Sequence, residues 1–451
     1  MDTTICAIST AMGVGAISIV RCSGPKAIEI TNSIFKGKNL LEVPSHSINY
    51  GYIVYKDEVI DEVLVSVMKA PKTFTMEDVV EINTHGGPAI TSRILEILLL
   101  SGCTLAEPGE FTKRAFLNGR IDLVEAEAVQ DLVTSETEKS RKMAINQLMG
   151  SLSNQIKDIR KEIMDVQANI EVNIDYPEYE EGEKYTKQTL LPKIENINIM
   201  LTNLLESAQN SKMIKNGIDV ALLGKPNVGK SSILNAFLEE EKAIVTPIAG
   251  TTRDVVEGRF ILDGIILNII DTAGIRKTDD VVEKIGVERS IKASENADLI
   301  IYVVSSDEKL TEDDIEILKS LKDKKVILFV NKNDLSNNKI NTEYINEEYI
   351  IYGNTINNDG LVDLKNKIRK MFNLNEIEAS NYAFLTNARQ LYLIKSASLK
   401  IKNIIDNLDN LPLDVFTIDL RDAYELLGEI IGETYKEDLI DELFSKFCLG
   451  K

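Results

Sequence analysis

The sequence predicts a multidomain chain that mixes α/β and all-α parts: an N-terminal α/β domain, a helical bundle domain, and a second α/β domain inserted into the helical one. Three observations lead to that reading. The chain has 451 residues, enough for about three domains of roughly 150 residues each. Hydrophobic residues make up 44% and charged residues 27%, an ordinary balance for a protein that buries proper cores. The hydrophobic period also changes along the chain, from mixed to helical, then to alternating strand and helix, then to helical again.

Residues 1–118 read as the mixed domain. Val63–Met68 and Val79–Thr84 have strand composition, with Glu81 and Asn83 alternating against apolar neighbours. The turn His85-Gly86-Gly87-Pro88 leads into a helix over Ala89–Leu100. Gly13 and Gly15 predict a tight backbone passage into a strand over Ala16–Val20, just ahead of Arg21.

Residues 119–214 read as the first helical part. Leu152, Ile156, Ile159, Ile163, Val166 and Ile170 follow alternating 4, 3 spacing and so form one apolar stripe. After the acidic break Tyr176–Gly182, Ile194, Ile197, Leu201, Leu204 and Ala208 form a second stripe. Ile394, Ala397, Ile401, Ile404 and Leu408 form a third, in a second helical part over 375–451. These stripes are expected to be bundle core, packed on one another because none can bury itself alone. Between them, over 215–374, β-rich runs alternate with helical ones: Ile218–Leu223, Ile265–Ile270, Leu299–Val304, Val326–Val330 and Tyr349–Tyr352. That is the pattern of βαβ units on a mostly parallel sheet.

Composition excludes several functions. Two histidines and four cysteines scattered along the chain (Cys6, Cys22, Cys103, Cys448) do not make a zinc site of standard spacing or a CxxC redox pair. A reducing, cytoplasmic compartment is the expectation, with no signal segment and no membrane span. With 51 basic and 71 acidic residues the formal charge is −20. Broad coating by nucleic acid is thereby excluded, while a local basic site is not.

The strongest motif is Gly224-Lys225-Pro226-Asn227-Val228-Gly229-Lys230-Ser231, a GxxxxGK[ST] loop. It follows a strand and precedes a helix-like run from Ser232 to Phe237, the context such a loop requires. Its glycines let backbone N–H groups curl round phosphate oxygens at a helix N-terminus. Lys230 is expected to reach the terminal phosphates and Ser231 to hold Mg²⁺. Three further elements follow in order. The loop Gly250-Thr251-Thr252 offers Thr252 as a second Mg²⁺ ligand. Asp271-Thr272-Ala273-Gly274 puts a carboxylate near the metal and the Gly274 N–H near the γ-phosphate. Asn331-Lys332-Asn333-Asp334 closes another strand, and Asp334 can accept two hydrogen bonds from a guanine edge. Adenine lacks those donors, so the expected nucleotide is GTP.

Two departures carry chemical meaning. Many GTPases place a water-orienting Gln after the DxxG segment, but Ile275 stands there. Another group must position the water. Glu283 is the candidate, a solvated helix-start glutamate being the alternative. Asn227 is placed to orient a monovalent cation against the phosphates. In the last guanine loop, Asn354-Thr355-Ile356 replaces the usual Ser-Ala-Lys, leaving backbone contacts as the expected ones.

With these motifs in place, the chain resembles, from end to end, the MnmE (TrmE) family of bacterial tRNA modification GTPases, of TrmE-Era-EngA type. The resemblance is carried by Gly13–Gly24, Glu77–Pro88, Pro108–Asn118, the segment Ile248–Asp254, and the closing Phe447-Cys448-Leu449-Gly450-Lys451. It implies a homodimer whose N-terminal domain binds a 5-formyl-tetrahydrofolate-type one-carbon donor through Arg21, Glu81, Arg120 and Lys451. Arg120 is expected in a helix, where a surface salt bridge is its bland alternative.

The resemblance further implies K⁺ held by Asn227, Thr246, Ile248 and Thr251, with Pro247 and Ala249 in the same nucleotide-contacting loop and Ser232 beside the phosphates. It assigns water positioning to Glu283 and brings the Cys448 thiol near folate or substrate, a merely buried or exposed cysteine being the alternative. GTP hydrolysis is implied to be coupled, with an FAD-dependent partner, MnmG (GidA), to modification of the wobble uridine of tRNA. The product group is aminomethyl or carboxymethylaminomethyl. The nucleotide motifs alone also suit a regulatory or ribosome-assembly GTPase; the Arg21, Glu81, Arg120 and Lys451 set favours the first reading.

Overall fold

The computed structural model describes residues 2–175, 187–240, 256–271, 294–336, 340, 343–374, 385, 387–434, 437–447 and 449–450. It divides into two compact units. One comprises Met1–Thr134, Ala144–Leu204 and Ala388–Lys451; the other comprises Ser135–Met143 and Leu205–Asn387.

The first unit begins with a seven-stranded sheet: β1 Ile5–Ile8, β2 Ile17–Ser23, β3 Phe35–Lys36, β4 Ser47–Tyr55, β5 Glu58–Met68, β6 Val79–His85 and β7 Thr104–Leu105. Their order across the sheet is β3-β4-β5-β6-β2-β1-β7. Every pairing is antiparallel except β1 with β7. The expected strands and the helix, here Pro88–Leu100, are present. Proline stands at the first helical position, where its missing N–H costs nothing. The hairpin joining β4 to β5 has no Asn-Gly signal. Lys56 and Asp57 take φ of 50° and 64° instead, so β4 was not legible. The passage at Gly15 is close: its N–H donates to Gly86 O at 2.8 Å. A Cβ on Gly86 would lie 2.3 Å from Gly15 O.

Helices Ala27–Ile34 and Pro88–Leu100 cover one face of this sheet through Val20, Ile82, Val65, Ile94 and Ile97. Three cysteines far apart in sequence meet there. Cys6 is the cross-strand partner of Cys22, and Cys103 lies with them in the same buried cluster. All three are free thiols. Alternation puts Arg21, Glu81, Leu64 and Tyr50 on the other face.

The helical parts complete this unit. The stripe from Leu152 to Ile170 lies on helix Ser151–Asp175, with every member at most 1% exposed. The stripe from Ile394 to Ile404 lies on helix Ala388–Asn407 and is fully buried. On helix Lys187–Asn216, Ile194, Ile197, Leu201 and Leu204 are buried while Ala208 is only half-buried. The returning chain is stitched to the outgoing one by polar contacts. Glu127 of helix Leu123–Thr134 accepts from Gln390 Nε2 at 2.6 Å and from Arg389 Nη2 at 3.1 Å.

The second unit is built on a six-stranded sheet: β8 Ile218–Leu223, β9 Val256–Leu262, β10 Ile265–Asp271, β11 Leu299–Ser305, β12 Val326–Asn331 and β13 Ile350–Tyr352. The order is β13-β12-β11-β8-β10-β9, parallel except for the hairpin of β9 with β10. β9 is the strand the alternating pattern did not reveal. Apolar clusters bury both faces, as a parallel sheet requires. The expected helical stretch 119–214 is divided here, because Ser135–Met143 packs within this second unit. Glu136 accepts from Arg259 at 2.8 Å, Lys139 Nζ donates to Leu374 O at 3.2 Å, and Met143 joins the core.

Candidate functional site

In the second unit all the parallel strands end on one edge, and the chain reverses direction across the sheet between β8 and β11. Such a switch point opens a crevice at the carboxyl ends of strands. The GxxxxGK[ST] loop fills that position. Gly224 takes a φ of 134°, and a Cβ on it would lie 2.2 Å from Val303 O of β11. Gly229 takes a φ of 106°, and its Cβ would lie 2.0 Å from Asn331 Nδ2. Both positions therefore need glycine for conformation and for space. Asn227, exposed, adopts a φ of 65°, and Val228 is buried beneath the loop.

Half-buried Lys230 begins helix Lys230–Glu240, followed by Ser231 and Ser232, both exposed. Its ammonium donates to Gly224 O and Lys225 O, both at 2.6 Å. The charge is thus held against two carbonyls of the phosphate loop itself. The backbone of Asp271 lies at the end of β10, paired with Leu222 of β8 and so two residues from Gly224 in register.

Asn331 ties three loops together. It is 2% exposed, its Nδ2 donates to Val228 O at 2.8 Å, and its Oδ1 accepts from Thr355 N at 3.1 Å. Lys332 has a φ of 57°, and Asn333 N donates to Gly353 O at 3.1 Å. That turn leaves Asp334 exposed. In the last loop Asn354 and Thr355 are buried while Ile356 is exposed. Asn354 Oδ1 accepts from Ile356 N at 2.9 Å, so local hydrogen bonds shape this loop in place of the usual side chains.

Sequence reasoning missed a second anchor. Lys225 Nζ lies 2.9 Å from Asp314 Oδ2 and donates to Thr311 Oγ1 at 2.8 Å. Asp314 also accepts from the Tyr302 hydroxyl at 2.8 Å and closes a capping box with Thr311 on helix Glu312–Ser320. Burial by itself would raise the Asp314 carboxyl. The bonds from Lys225, Thr311 and Tyr302 outweigh it and hold the group below its usual value. The Thr-x-x-Asp spacing of that box was the available signal.

Several expected positions lie outside the described residues: Thr246, Pro247, Ile248, Ala249, Gly250, Thr251, Thr252, Thr272, Ala273, Gly274, Glu283, Cys448, Lys451 and the side chain of Asp271.

In the first unit, Arg21 and Glu81 are direct cross-strand partners, with Nε donating to Oε1 at 2.8 Å. The C-terminal tail reaches this pair. Gly450 O accepts from Arg21 Nη1 at 3.3 Å and from Ser9 Oγ at 3.2 Å. The tail arrives there because helix Glu437–Phe444 packs on helix Glu110–Leu117, with Phe444 and Phe116 ring centroids 6.4 Å apart. The Arg21 guanidinium lies 5.6 Å from the Phe111 ring centroid.

Arg120 corrects an expectation. It stands in the bend after helix Glu110–Leu117, because Gly119 at φ 75° has ended that helix. Arg120 Nη1 donates to Phe74 O at 2.9 Å, and its guanidinium lies 4.8 Å from the Phe74 centroid. Phe74 packs on the cluster that contains Phe111. Both arginines therefore border one apolar patch.

Comparison with known proteins extends the picture to the whole chain. A family profile described as GTP-binding protein TrmE N-terminus matches residues 4–120. One described as MnmE helical domain matches residues 123–448. The tRNA modification GTPase MnmE of Streptococcus mutans is 50% identical over 450 residues, covering 99% of this chain and 98% of that protein. The chain belongs to the MnmE family of tRNA modification GTPases. The MnmE proteins of Streptococcus thermophilus (51% identical over 451 residues, 99% and 98% covered) and Staphylococcus aureus (49% over 455 residues, 99% of each) are similar throughout. Membership in the MnmE family makes the chain a GTP hydrolase, whose nucleotide carries Mg²⁺. The loop fits that nucleotide: it is a cradle that a Cβ at Gly224 or Gly229 would fill. Among the described residues no helix is long and apolar enough to cross a membrane.

Proposed function

We propose that this chain is a K⁺-activated GTPase of tRNA wobble-uridine modification, working in the cytoplasm as a homodimer with an FAD-dependent partner of the MnmG (GidA) kind. With that partner it adds an aminomethyl or carboxymethylaminomethyl group to the five-position carbon of the uridine, drawing on a 5-formyl-tetrahydrofolate-type donor. The observation that carries this reading is the convergence of Arg21, Glu81 and the C-terminal tail at Gly450, in a chain similar to MnmE proteins along its whole length.

At the nucleotide, the N–H groups from Asn227 to Ser232 cradle phosphate oxygens and Lys230 exchanges its loop carbonyls for the terminal phosphates. Ser231 and Thr252 would hold Mg²⁺, with Asp271 beside them, and Asn227, Thr246, Ile248 and Thr251 would hold K⁺. Together these cations supply positive charge to the phosphate oxygens during hydrolysis. Glu283 orients the attacking water in place of the absent Gln. Pro247, Ala249, Gly250, Thr272 and Ala273 are assigned to the nucleotide as well, and Gly274 would offer its N–H near the γ-phosphate. Asp334 accepts from the guanine edge, and Asn331, Lys332 and Asn333 shape its turn.

At the second site, Arg21 and Arg120 offer cations to the anionic groups of the folate, and Lys451, next in sequence to Gly450, would add a third. The Glu81 carboxylate accepts from the pterin donor edge. The apolar border of Phe74 and Phe111 suits an aromatic ligand. Cys448 would bring a thiol to this end of the tail. Dimerisation is supported by a bare sheet face on which Ile48, Tyr50, Leu64 and Ile17 are 69%, 57%, 46% and 62% exposed.

Reconstitution with the flavoprotein, tRNA and GTP tests the whole reading. Modified uridine is expected only when formyl-folate is present, with GTP turnover much faster in K⁺ than in Na⁺. Glu283→Ala should abolish turnover and leave GTP affinity nearly intact. Equal rates in the two salts reject cation activation, and product formed without folate rejects the donor.

A further inference from the structure

The second unit carries a concentration of positive charge at the edge of its sheet remote from the nucleotide loop. Four of the seven residues 319–325 are lysine, and four of the six residues 365–370 are lysine or arginine, in a chain whose formal charge is −20. The fold brings the two segments together. Residues 319–325 lead into Val326, the start of β12, whereas Asn331 at its other end serves the nucleotide site. Residues 365–370 lie on helix Leu361–Met371.

Between them runs a groove of about 450 Å³. Its lining includes Lys322, Lys324, Lys325, Lys367 and Lys370, against one carboxylate, Glu348. Two half-buried tyrosines, Tyr344 and Tyr349, complete the wall.

These lysines are arranged rather than loose. The Lys367 ammonium lies 5.1 Å from the Tyr349 ring centroid and that of Lys325 lies 3.9 Å from Phe372. Lys325 Nζ also donates to Met371 O at 3.2 Å, and Lys324 Nζ to Glu295 O at 2.8 Å. None of the five is paired with a carboxylate among the described residues. Five like charges around one groove repel one another, and an anion is the partner that relieves this.

We propose that this groove binds the phosphodiester backbone of RNA, giving the α/β unit a sequence-independent contact with tRNA. The proposal rests on the tRNA reading above. Lysine is a compact point charge that follows a run of phosphates without demanding bidentate geometry. The arginine of the second segment, Arg369, is committed to Asp263 at 2.7 and 3.2 Å. The forked donor that would recognise a carboxylate of an acidic protein is therefore engaged elsewhere, which favours phosphate as the ligand. A nucleotide is a poor occupant, since the GTP loop lies at the opposite end of the strands.

The test is fluorescence anisotropy of labelled tRNA against the full-length protein across a series of KCl concentrations, for wild type, K322Q/K370Q and K322E/K370E. Neither side chain holds a neighbouring element in place. GTP turnover without tRNA and the heat-unfolding midpoint should stay at wild-type values, confirming folded variants. Wild type should bind with a steep salt dependence. The Gln pair should bind about tenfold more weakly and the Glu pair more weakly still, with the log-log salt slope falling by about 0.7–0.9 for each phosphate no longer neutralised. Wild-type affinity in both variants overturns the groove while leaving the tRNA reading intact. No tRNA binding by wild type at low salt overturns the tRNA reading and the groove together. Loss of the flavoprotein partner with tRNA affinity unchanged assigns the groove to an acidic protein and overturns the proposal.

Discussion

Asn331 shows how one side chain serves a site without touching the reacting atoms. Its amide spans Val228 O and Thr355 N in a buried setting, and Gly229 is glycine partly to admit it. Asn331→Ala leaves both backbone groups unpaired, at a cost of about 1–3 kcal/mol. The substitution should lower the unfolding free energy of the α/β unit by that amount and weaken GTP binding at least tenfold in a titration with a fluorescent analogue. Unchanged affinity would show that the three loops hold themselves. His85 gives a second residue-scale expectation. Its Nδ1 lies 2.7 Å from Asp61 Oδ1, and Asp61 Oδ2 accepts from His85 N at 2.8 Å. The Asp61 hydrogen bond, then its charge, hold the exposed imidazolium above its ordinary value. The folded state thus keeps its proton longer than the unfolded one. The associated stabilisation is present below the ordinary histidine range and disappears as pH rises through the raised value. NMR titration should place His85 above the usual range, and Asp61→Asn should return it there; an unmoved titration would deny the pairing in solution.

At the scale of elements, the helical stripes were legible because a 4, 3 spacing permits only one buried face. Ile163, fully buried on helix Ser151–Asp175, tests that face. Ile163→Ala should cost about 2–5 kcal/mol in urea unfolding, against less than about 0.5 kcal/mol for Lys161→Ala on the exposed side of the same helix. Similar losses at both positions would show that the helix is not packed through the stripe. Strands were legible where runs were long and apolar, as in β8, β11 and β12. β4 and β9 escaped because each belongs to a hairpin whose pattern is weak: one turns on Lys56-Asp57 and the other forms an antiparallel edge. Arg120 was misplaced for a related reason. The helix ends at Leu117, before it can include the arginine, and only backbone geometry shows that Gly119 is left-handed.

At the scale of the molecule, the C-terminal tail meets the N-terminal sheet although 429 positions separate Arg21 from Gly450. Removing residues 449–451 should reduce binding of 5-formyl-tetrahydrofolate at least tenfold in isothermal titration. GTP turnover, carried by the other unit, should remain at the wild-type rate. Full folate binding by the truncated chain would take the tail out of the site. Net charge acts at the same scale. A chain of −20 holds RNA only where its cations are gathered, and the lysines of residues 319–325 and 365–370 are gathered by the fold.

The sequence by itself determined the nucleotide chemistry. Phosphate loops act through backbone N–H groups, glycines and a few side chains at short, fixed spacing, so a contiguous string such as Gly224–Ser231 carries nearly all the needed information. Period likewise determined which helical faces are core, because burial follows local geometry. The tertiary structure alone decided contacts that depend on distant segments. It paired Arg21 with Glu81 and brought Gly450 to them, gathered Cys6, Cys22 and Cys103, set Asp314 under Lys225, drew Ser135–Met143 into the α/β unit, and assembled five lysines from two segments into one groove. The physical reason is the same in each case: such contacts are selected by sheet register and side-chain packing over long chain separations, and neither leaves a periodic mark in the sequence.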